Sequence, residues 1–232
     1  TPAPRILTLM LNHTSVLECG SRIASAYAAK LLGELGATVT RVVPPPGDTF
    51  DAEPPFVGEP PVSALGLYLN HGKAAVTLDP ATEQGRLHVL AADSDIVICG
   101  LPPAEAEAAG LVAERFEGGR TLIVNVTSYG MNGPYRDLPG GDDALLLALG
   151  GVMHTTGERE GPPVPTYGHV AEYQLGTNVA IAALTALYAR EARGVVQAAD
   201  VSGTEVASTL IENGIPLWTV GGRLRGRNGT AY

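Results

Sequence analysis

The sequence lacks a surplus of positive charge. Fifteen Lys and Arg stand against 24 Asp and Glu, a formal net charge of −9. Nucleic-acid binding draws on basic residues that displace phosphate counterions, so this balance argues against such a partner. A phosphorylated small ligand stays open, because a helix N-terminus or a single cation can hold one. The sequence also lacks a charge-free apolar run of about 18 residues, so no membrane span is expected. Its opening, TPAPRILTLMLNHTS, has one Arg, a short apolar run and no A-x-A site. Residues 1–14 therefore read as an extended lead-in segment rather than a signal peptide. Cysteine is scarce, with only Cys19 and Cys99, both in apolar strand-like runs. They suit buried reduced thiols of a cytoplasmic protein, and their spacing matches no zinc pattern, so no metal is expected. Neither GxGxxG nor GxxxxGK[ST] occurs, which disfavours a dinucleotide dehydrogenase or a P-loop NTPase. No nicotinamide or flavin is expected. GxSxG is missing too, so His169 has no serine elbow to serve. There is no internal repeat.

What is present is an apolar, globular composition, 45% hydrophobic and 17% charged, in 232 residues. That length allows one large domain or two small ones. Short β-like runs alternate with helical ones. Ser15–Cys19, Thr38–Val43, Ala75–Leu78, Asp95–Cys99, Thr121–Thr127 and Val195–Val201 read as strands. Pro44, Pro45 and Pro46 stop the second, and a polar loop follows to about Pro61. Arg22–Leu35, Thr82–Ala91, Asp142–Leu149, Glu172–Arg190 and Thr204–Thr219 read as helices. Gly36 closes the first and Gly194 the fourth. Glu172–Arg190 is the longest, about 27 Å, and so rich in Ala, Leu, Ile and Val that it should be central and buried. The alternation predicts an α/β domain, Rossmann-like, with a mostly parallel sheet and helices on both faces. Ligands collect at strand C-terminal ends in such sheets, here Cys19–Ser25, Val43–Asp48, Cys99–Pro103 and Thr127–Gly133.

Glu172 stands where a Pro/Gly-rich loop enters the longest helix. A first-turn glutamate commonly does no more than stabilise its helix, by about 0.3–1 kcal/mol. The same position also faces whatever the loop binds. Gly20-Ser21-Arg22 is either a plain strand-to-helix turn with Ser21 as N-cap or a phosphate cradle. Lys73 reads locally as a solvated surface charge. Gly130 and Gly133 bracket a turn at Pro134, or let backbone approach a ligand closely. Asp142 and Asp143 could pair with Glu172 in carboxylate chemistry, but sequence supplies no distance.

Taken in order, several segments resemble the large domain of the family III CoA-transferases. That group includes formyl-CoA transferase, carnitine CoA-transferases and alpha-methylacyl-CoA racemase. The markers are VLECGSRIASAYAAKLLGELGATVTRV, Gly47-Asp48, NHGKAAVTLD, ADSDIVICGLPP, SYGMNGPY, GGDDALLLALGGVMHTTG with GPPVP, and AALTALYAREARG. The resemblance implies a CoA-binding large domain over residues 15–220. Residues 221–232 would begin a linker to the family's small second domain, which this sequence does not include. It implies acyl-CoA and a carboxylic acid as substrates, with CoA passing between acids through an intermediate bound on a carboxylate. It also implies a homodimer, or pairing with another CoA-transferase-like domain. The nucleophile's position falls on Glu172, where the family has aspartate. The extra methylene moves the carboxylate by about 1 Å, a shift that can cost on the order of 10²-fold unless the pocket compensates. CoA contacts would fall on Arg22, Ile23, Lys73, Leu78, Gly100, Leu101, Thr127, Ser128, Tyr129 and Gly130. Two departures touch the nucleotide pocket: Val42-Val43-Pro44 replaces an acidic residue before proline, and Cys99-Gly100 replaces Glu-Asn. They motivate an alternative, a non-catalytic half that serves binding or assembly. A further alternative, an acyl-CoA racemase, would use Glu172 with Asp142.

Overall fold

A computed structural model describes residues 10–45 and 47–229. Most of the lead-in expected over 1–14 lies outside the described residues, as does Pro46. The chain runs through β1 (Ser15–Cys19), α1 (Ile23–Glu34) and β2 (Thr38–Val43). A hairpin of β3 (Phe56–Val57) and β4 (Val62–Ser63) and the helix α2 (Ala64–Asn70) follow. Next come β5 (Ala74–Thr77), α3 (Gln84–Ala92), β6 (Ile96–Cys99), α4 (Pro103–Ala108) and β7 (Leu122–Thr127). The chain continues with α5 (Asp143–Leu149), α6 (Val152–Thr155), α7 (Val170–Arg193), β8 (Ala199–Ser202), α8 (Gly203–Thr209) and α9 (Gly214–Thr219).

Six strands form one sheet in the order β5-β2-β1-β6-β7-β8, every neighbouring pair parallel. Setting the small hairpin aside, this is the Rossmann order 3-2-1-4-5-6. The central strands β6 and β7 are buried throughout, as strands covered on both faces must be. Their side chains alternate between two cores. Val16, Ile96, Ile98, Leu122 and Val124 pack toward α1 and α7, while Leu17, Val97, Cys99 and Ile123 pack with Leu87, Ala106 and Leu111.

Two departures from the expected elements have local causes. Thr204–Thr219 is not one helix, because Pro216 has no N–H for the carbonyl four residues back and its ring clashes there. The chain therefore restarts as α9. Val195–Ala198 is irregular and exposed, so the last strand is only Ala199–Ser202. The long helix also differs from expectation. It buries one face, including Ala171, Glu172, Leu175, Val179 and Ala183, and leaves Ile181 56% and Tyr188 71% exposed. Its alanines and aliphatics thus divide between the core and an uncovered surface.

Packing of α7 on α1 depends on a small residue. A Cβ on Gly176 would stand 2.7 Å from the Ala24 carbonyl oxygen and 3.1 Å from the Tyr27 ring. With hydrogen there, the two helices touch one turn beyond Glu172. Farther along, Arg190 donates to the Asp95 carboxylate at 3.1 Å. Asp95 in turn accepts from the Ser15 N–H and hydroxyl, both at 2.9 Å. The helix is thus held near its N-terminus to α1 and at its far end, through Asp95, to the start of β1.

Candidate active site

The strand order reverses between β1 and β6, and the crevice between their C-terminal ends is the fold's default ligand site. Here the two loops nearly touch. Gly20 has φ +105°, and a Cβ on it would meet the Gly100 carbonyl carbon at 2.6 Å. Beside this contact opens a cleft of about 490 Å³. Ser21, Arg22, Pro44, Leu101, Ser128 and Glu172 are among its lining residues, together with the backbone of Gly140 and Gly141.

Glu172 is in the first turn of α7, but its carboxylate reaches across to the N-terminus of α1. Oε2 accepts the Ala24 N–H at 2.9 Å and Arg22 Nε at 3.2 Å, and Oε1 accepts Arg22 Nη2 at 2.7 Å. A bidentate guanidinium pair and a helix N-terminus together hold one anionic group. The side chains of Arg22 and Glu172 are 16% and 10% exposed, so the pair is shielded but open to the cleft. The remaining Arg22 nitrogen, Nη1, donates to Ser128 Oγ at 3.1 Å, and the Gly141 N–H donates to the same oxygen at 3.1 Å.

Behind Glu172 stands Asp143, whose Oδ1 accepts the Glu172 N–H at 3.0 Å. It caps α7 from outside, since His169 at the N-cap makes no side-chain cap bond. Its Oδ2 is buried without a partner. Burial pushes the Asp143 carboxyl above the usual range; the N–H bonds of Glu172 and Ala171 oppose this, and the nearby Glu172 charge adds to it. Asp142 is turned elsewhere and caps α5, accepting the Leu145 N–H at 2.8 Å. Asp143 is thus the acid beside Glu172, and the Asp142 pairing entertained from sequence does not form.

The structure brings together only part of the expected CoA-contact set. Arg22, Gly100, Leu101 and Ser128 line the cleft with Glu172, and Thr127 and Tyr129 line a narrow extension of it. Four others are turned away. Lys73 is interior, its ammonium donating to Glu18 at 2.6 Å and to the Ala26 carbonyl at 2.8 Å. Burial pulls Lys73 down and Glu18 up, and the pairing opposes both shifts. A lysine expected on the surface or on a ligand instead ties β1, α1 and α2 together. Leu78 is fully buried in the sheet's second core, and the Ile23 side chain packs with Phe50 and Leu69. Gly130 forms a turn over Asp200, which accepts the neighbouring Met131 N–H at 2.7 Å. Ser21 is not the cap of α1 either. The N-cap is Arg22, and the Ser21 hydroxyl donates to Asp48 at 2.9 Å. Burial lifts the Asp48 carboxyl, against the Ser21 bond and the Arg41 charge.

Several lining residues escaped the sequence reading. Asp79 and Glu105 add negative charge to the cleft, and the Gly140-Gly141 pair lets backbone border it. The Gly-Gly pair just ahead of the Asp142–Leu149 helix is a local signal for that border, whereas nothing local marks Asp79 or Glu105. Cys19 and Cys99 stand in register on adjacent strands, fully buried. Burial raises both thiols, Cys99 to about 12, so they remain protonated and inert. No metal-binding cluster of His, Cys, Asp or Glu occurs among the described residues.

Residues 11–231 match the model of one protein family, described as CoA-transferase family III. A succinyl-CoA–L-malate CoA-transferase beta subunit of Chloroflexus aurantiacus is 32% identical over 97% of this chain and 56% of its own length. A succinyl-CoA–D-citramalate CoA-transferase of the same organism is 30% identical over 94% of this chain and 55% of its own length. The crystal structure of a CAIB/BAIF family protein from Brucella suis superposes with a TM-score of 0.88 at 29% identity, over 96% of this chain and 61% of that one. The chain spans about half the length of the curated relatives it matches.

Proposed function

The chain belongs to CoA-transferase family III, and from that membership we propose that its cleft receives an acyl-CoA and that Glu172 accepts the acyl group. The supporting observation is the position of Glu172, a carboxylate lining the crevice at the sheet's reversal point. Oε1 attacks the thioester carbonyl carbon, and the C–S bond breaks to give a mixed anhydride and CoA thiolate. The thiolate then attacks the Glu172 carbonyl carbon, releasing the first acid and leaving a Glu172–CoA thioester. An incoming carboxylate repeats both steps in reverse and leaves with CoA. Covalent catalysis of this kind splits one exchange into steps of small net free energy. The Ala24 N–H, already bonded to Oε2, is placed to stabilise the oxyanion formed there. Backbone of Gly100 and Gly141, with Leu101, Thr127, Ser128 and Tyr129, borders the CoA moiety.

The test uses the full-length protein that carries this sequence. With an acyl-CoA donor and hydroxylamine, mass spectrometry finds a hydroxamate on Glu172, and Glu172→Gln abolishes it. Turnover without that label would overturn the assignment.

A second reading, a non-catalytic half, draws support from charge. The cleft's guanidinium is already engaged by Glu172, and Asp79 and Glu105 oppose the phosphates of CoA. Calorimetry separates the two: binding of CoA below about 100 μM, roughly −5.5 kcal/mol, supports transfer, and no binding supports the second reading. Racemisation by Glu172 with Asp142 needs the two carboxylates to face one reacting carbon, and the Asp142 carboxylate instead caps α5 at the Leu145 N–H.

The proposal includes the domain division, with 15–220 as the CoA-binding part and 221–232 leading toward a second domain. It includes a partner, a second copy or a related domain, over the exposed apolar residues of α7 and α9. It places the protein in the cytoplasm, where two unpaired thiols stay reduced.

A further inference from the structure

We propose that Arg22, with the Ser128 hydroxyl, is the receptor for the carboxylate of the acid substrate, occupied by Glu172 at rest and vacated when Glu172 is converted to its CoA thioester. The inference rests on Glu172 being the acyl-accepting group. In the resting protein Arg22 Nε and Nη2 both donate to Glu172, and the guanidinium has no other acid in hydrogen-bond reach among the described residues. Thioester formation removes the charge from Glu172. Its carbonyl oxygen can keep the Ala24 N–H, but a neutral thioester no longer balances the cation. Two N–H donors of a largely buried guanidinium would then lack an anionic partner, which is costly. A free carboxylate has the planar, two-oxygen shape those donors require.

Ser128 adds a third donor. Its oxygen already accepts from Arg22 Nη1 and the Gly141 N–H, which uses both lone pairs. Its proton has no acceptor among the described residues, and Ser128 lines the cleft. The Ser128 backbone is fixed, since its carbonyl accepts the Thr204 N–H at 3.0 Å and hydroxyl at 2.9 Å. A carboxylate held on Arg22 and Ser128 stands beside the carbon of Glu172 that it must attack. The receptor is therefore closed until the first half-reaction has occurred. This ordering suits a double-displacement exchange, in which acid bound too early would compete with the donor's acyl group.

The binding test needs no turnover, so its failure differs from failure of the transfer reading. In Glu172→Gln the neutral amide stands for the thioester and can still accept the Ala24 N–H. Acetate and succinate, titrated calorimetrically into the full-length protein, bind this variant at least tenfold more tightly than wild type. The gain disappears in Glu172→Gln/Arg22→Gln. No tightening, tightening that survives loss of Arg22, or inorganic phosphate binding more tightly than acetate would each overturn the proposal; the last would assign the guanidinium to CoA. If Glu172→Gln does not fold, Arg22→Lys decides. Keeping the charge but losing the fork, it raises KM for the acid tenfold or more and leaves KM for the acyl-CoA within threefold, whereas equal shifts in both would reject the role.

Discussion

At the residue scale, the pair Arg22–Glu172 concentrates the proposed chemistry and much of the local energetics. Three charge-assisted bonds converge on one carboxylate at 2.7–3.2 Å. Removing that carboxylate leaves a shielded guanidinium without its counter-charge. Glu172→Ala is expected to destabilise the fold by about 3 kcal/mol in urea unfolding, and Arg22→Ala/Glu172→Ala by clearly less than the sum of the singles. A neutral Glu172→Ala would place the pair with ordinary surface ion pairs. Lys73 shows the opposite case. Its motif NHGKAAVTLD is a family marker, yet the ammonium serves the interior by bridging Glu18 and the Ala26 carbonyl. A motif can mark a family through its packing as readily as through its ligand.

At the element scale, the α1–α7 crossing sets the reach of Glu172. Gly176 allows the contact, so Gly176→Val forces the helices apart. We expect a loss of about 1–3 kcal/mol, typical of overpacking. The hydroxamate label on Glu172 should fall with it, because the Ala24 N–H moves away; a variant that labels normally would show that the crossing does not position the site. The far end of α7 is held by Asp95. Burial pushes its carboxyl up, but bonds from Ser15 and the charges of Arg120 and Arg190 outweigh this and leave it below the usual range. A depressed carboxyl contributes stability that is full above the unfolded value of 3.8 and is lost as pH falls through the folded value. Asp95→Asn should therefore cost about 2 kcal/mol at pH 7, and the gap from wild type should close as pH drops below 3.8. A gap that is constant with pH would mean that packing, not charge, is what Asp95 supplies.

At the scale of the whole molecule, the sheet's reversal point carries the candidate cleft and the helices leave apolar surface uncovered. Ile181 and Tyr188 on α7, and Trp218 on α9 with Val220 and Leu224 beyond it, are 56%, 71%, 57%, 88% and 76% exposed. Scattered apolar side chains are ordinary on a surface, but this many large ones on α7 and from α9 onward suit an interface. In the full-length protein, sedimentation should show a dimer or larger assembly, and Ile181→Glu or Trp218→Glu should lower the mass without lowering the melting temperature. A monomeric wild type would remove the proposed partner.

Periodicity and chain order made the architecture legible. Alternating β-branched runs and amphipathic segments placed all six sheet strands and the main helices, because burial on both faces writes near-continuous apolar runs into a parallel sheet. The short helices α2, α4 and α6 were not legible, since too few residues carry a period in one or two turns. Glu172 was legible as a carboxylate at a helix entrance. What it touches was not, because Arg22, Ala24 and Asp143 are 150, 148 and 29 residues away along the chain. The sequence alone determined the fold class, the family and the carboxylate proposed as nucleophile, all of which depend on local pattern and the order of motifs. The tertiary structure alone decided that Glu172 is clasped by Arg22, that Lys73 is interior, and that Asp143 rather than Asp142 stands beside the site. Those outcomes depend on distances, and distances between remote residues exist only once the helices have packed.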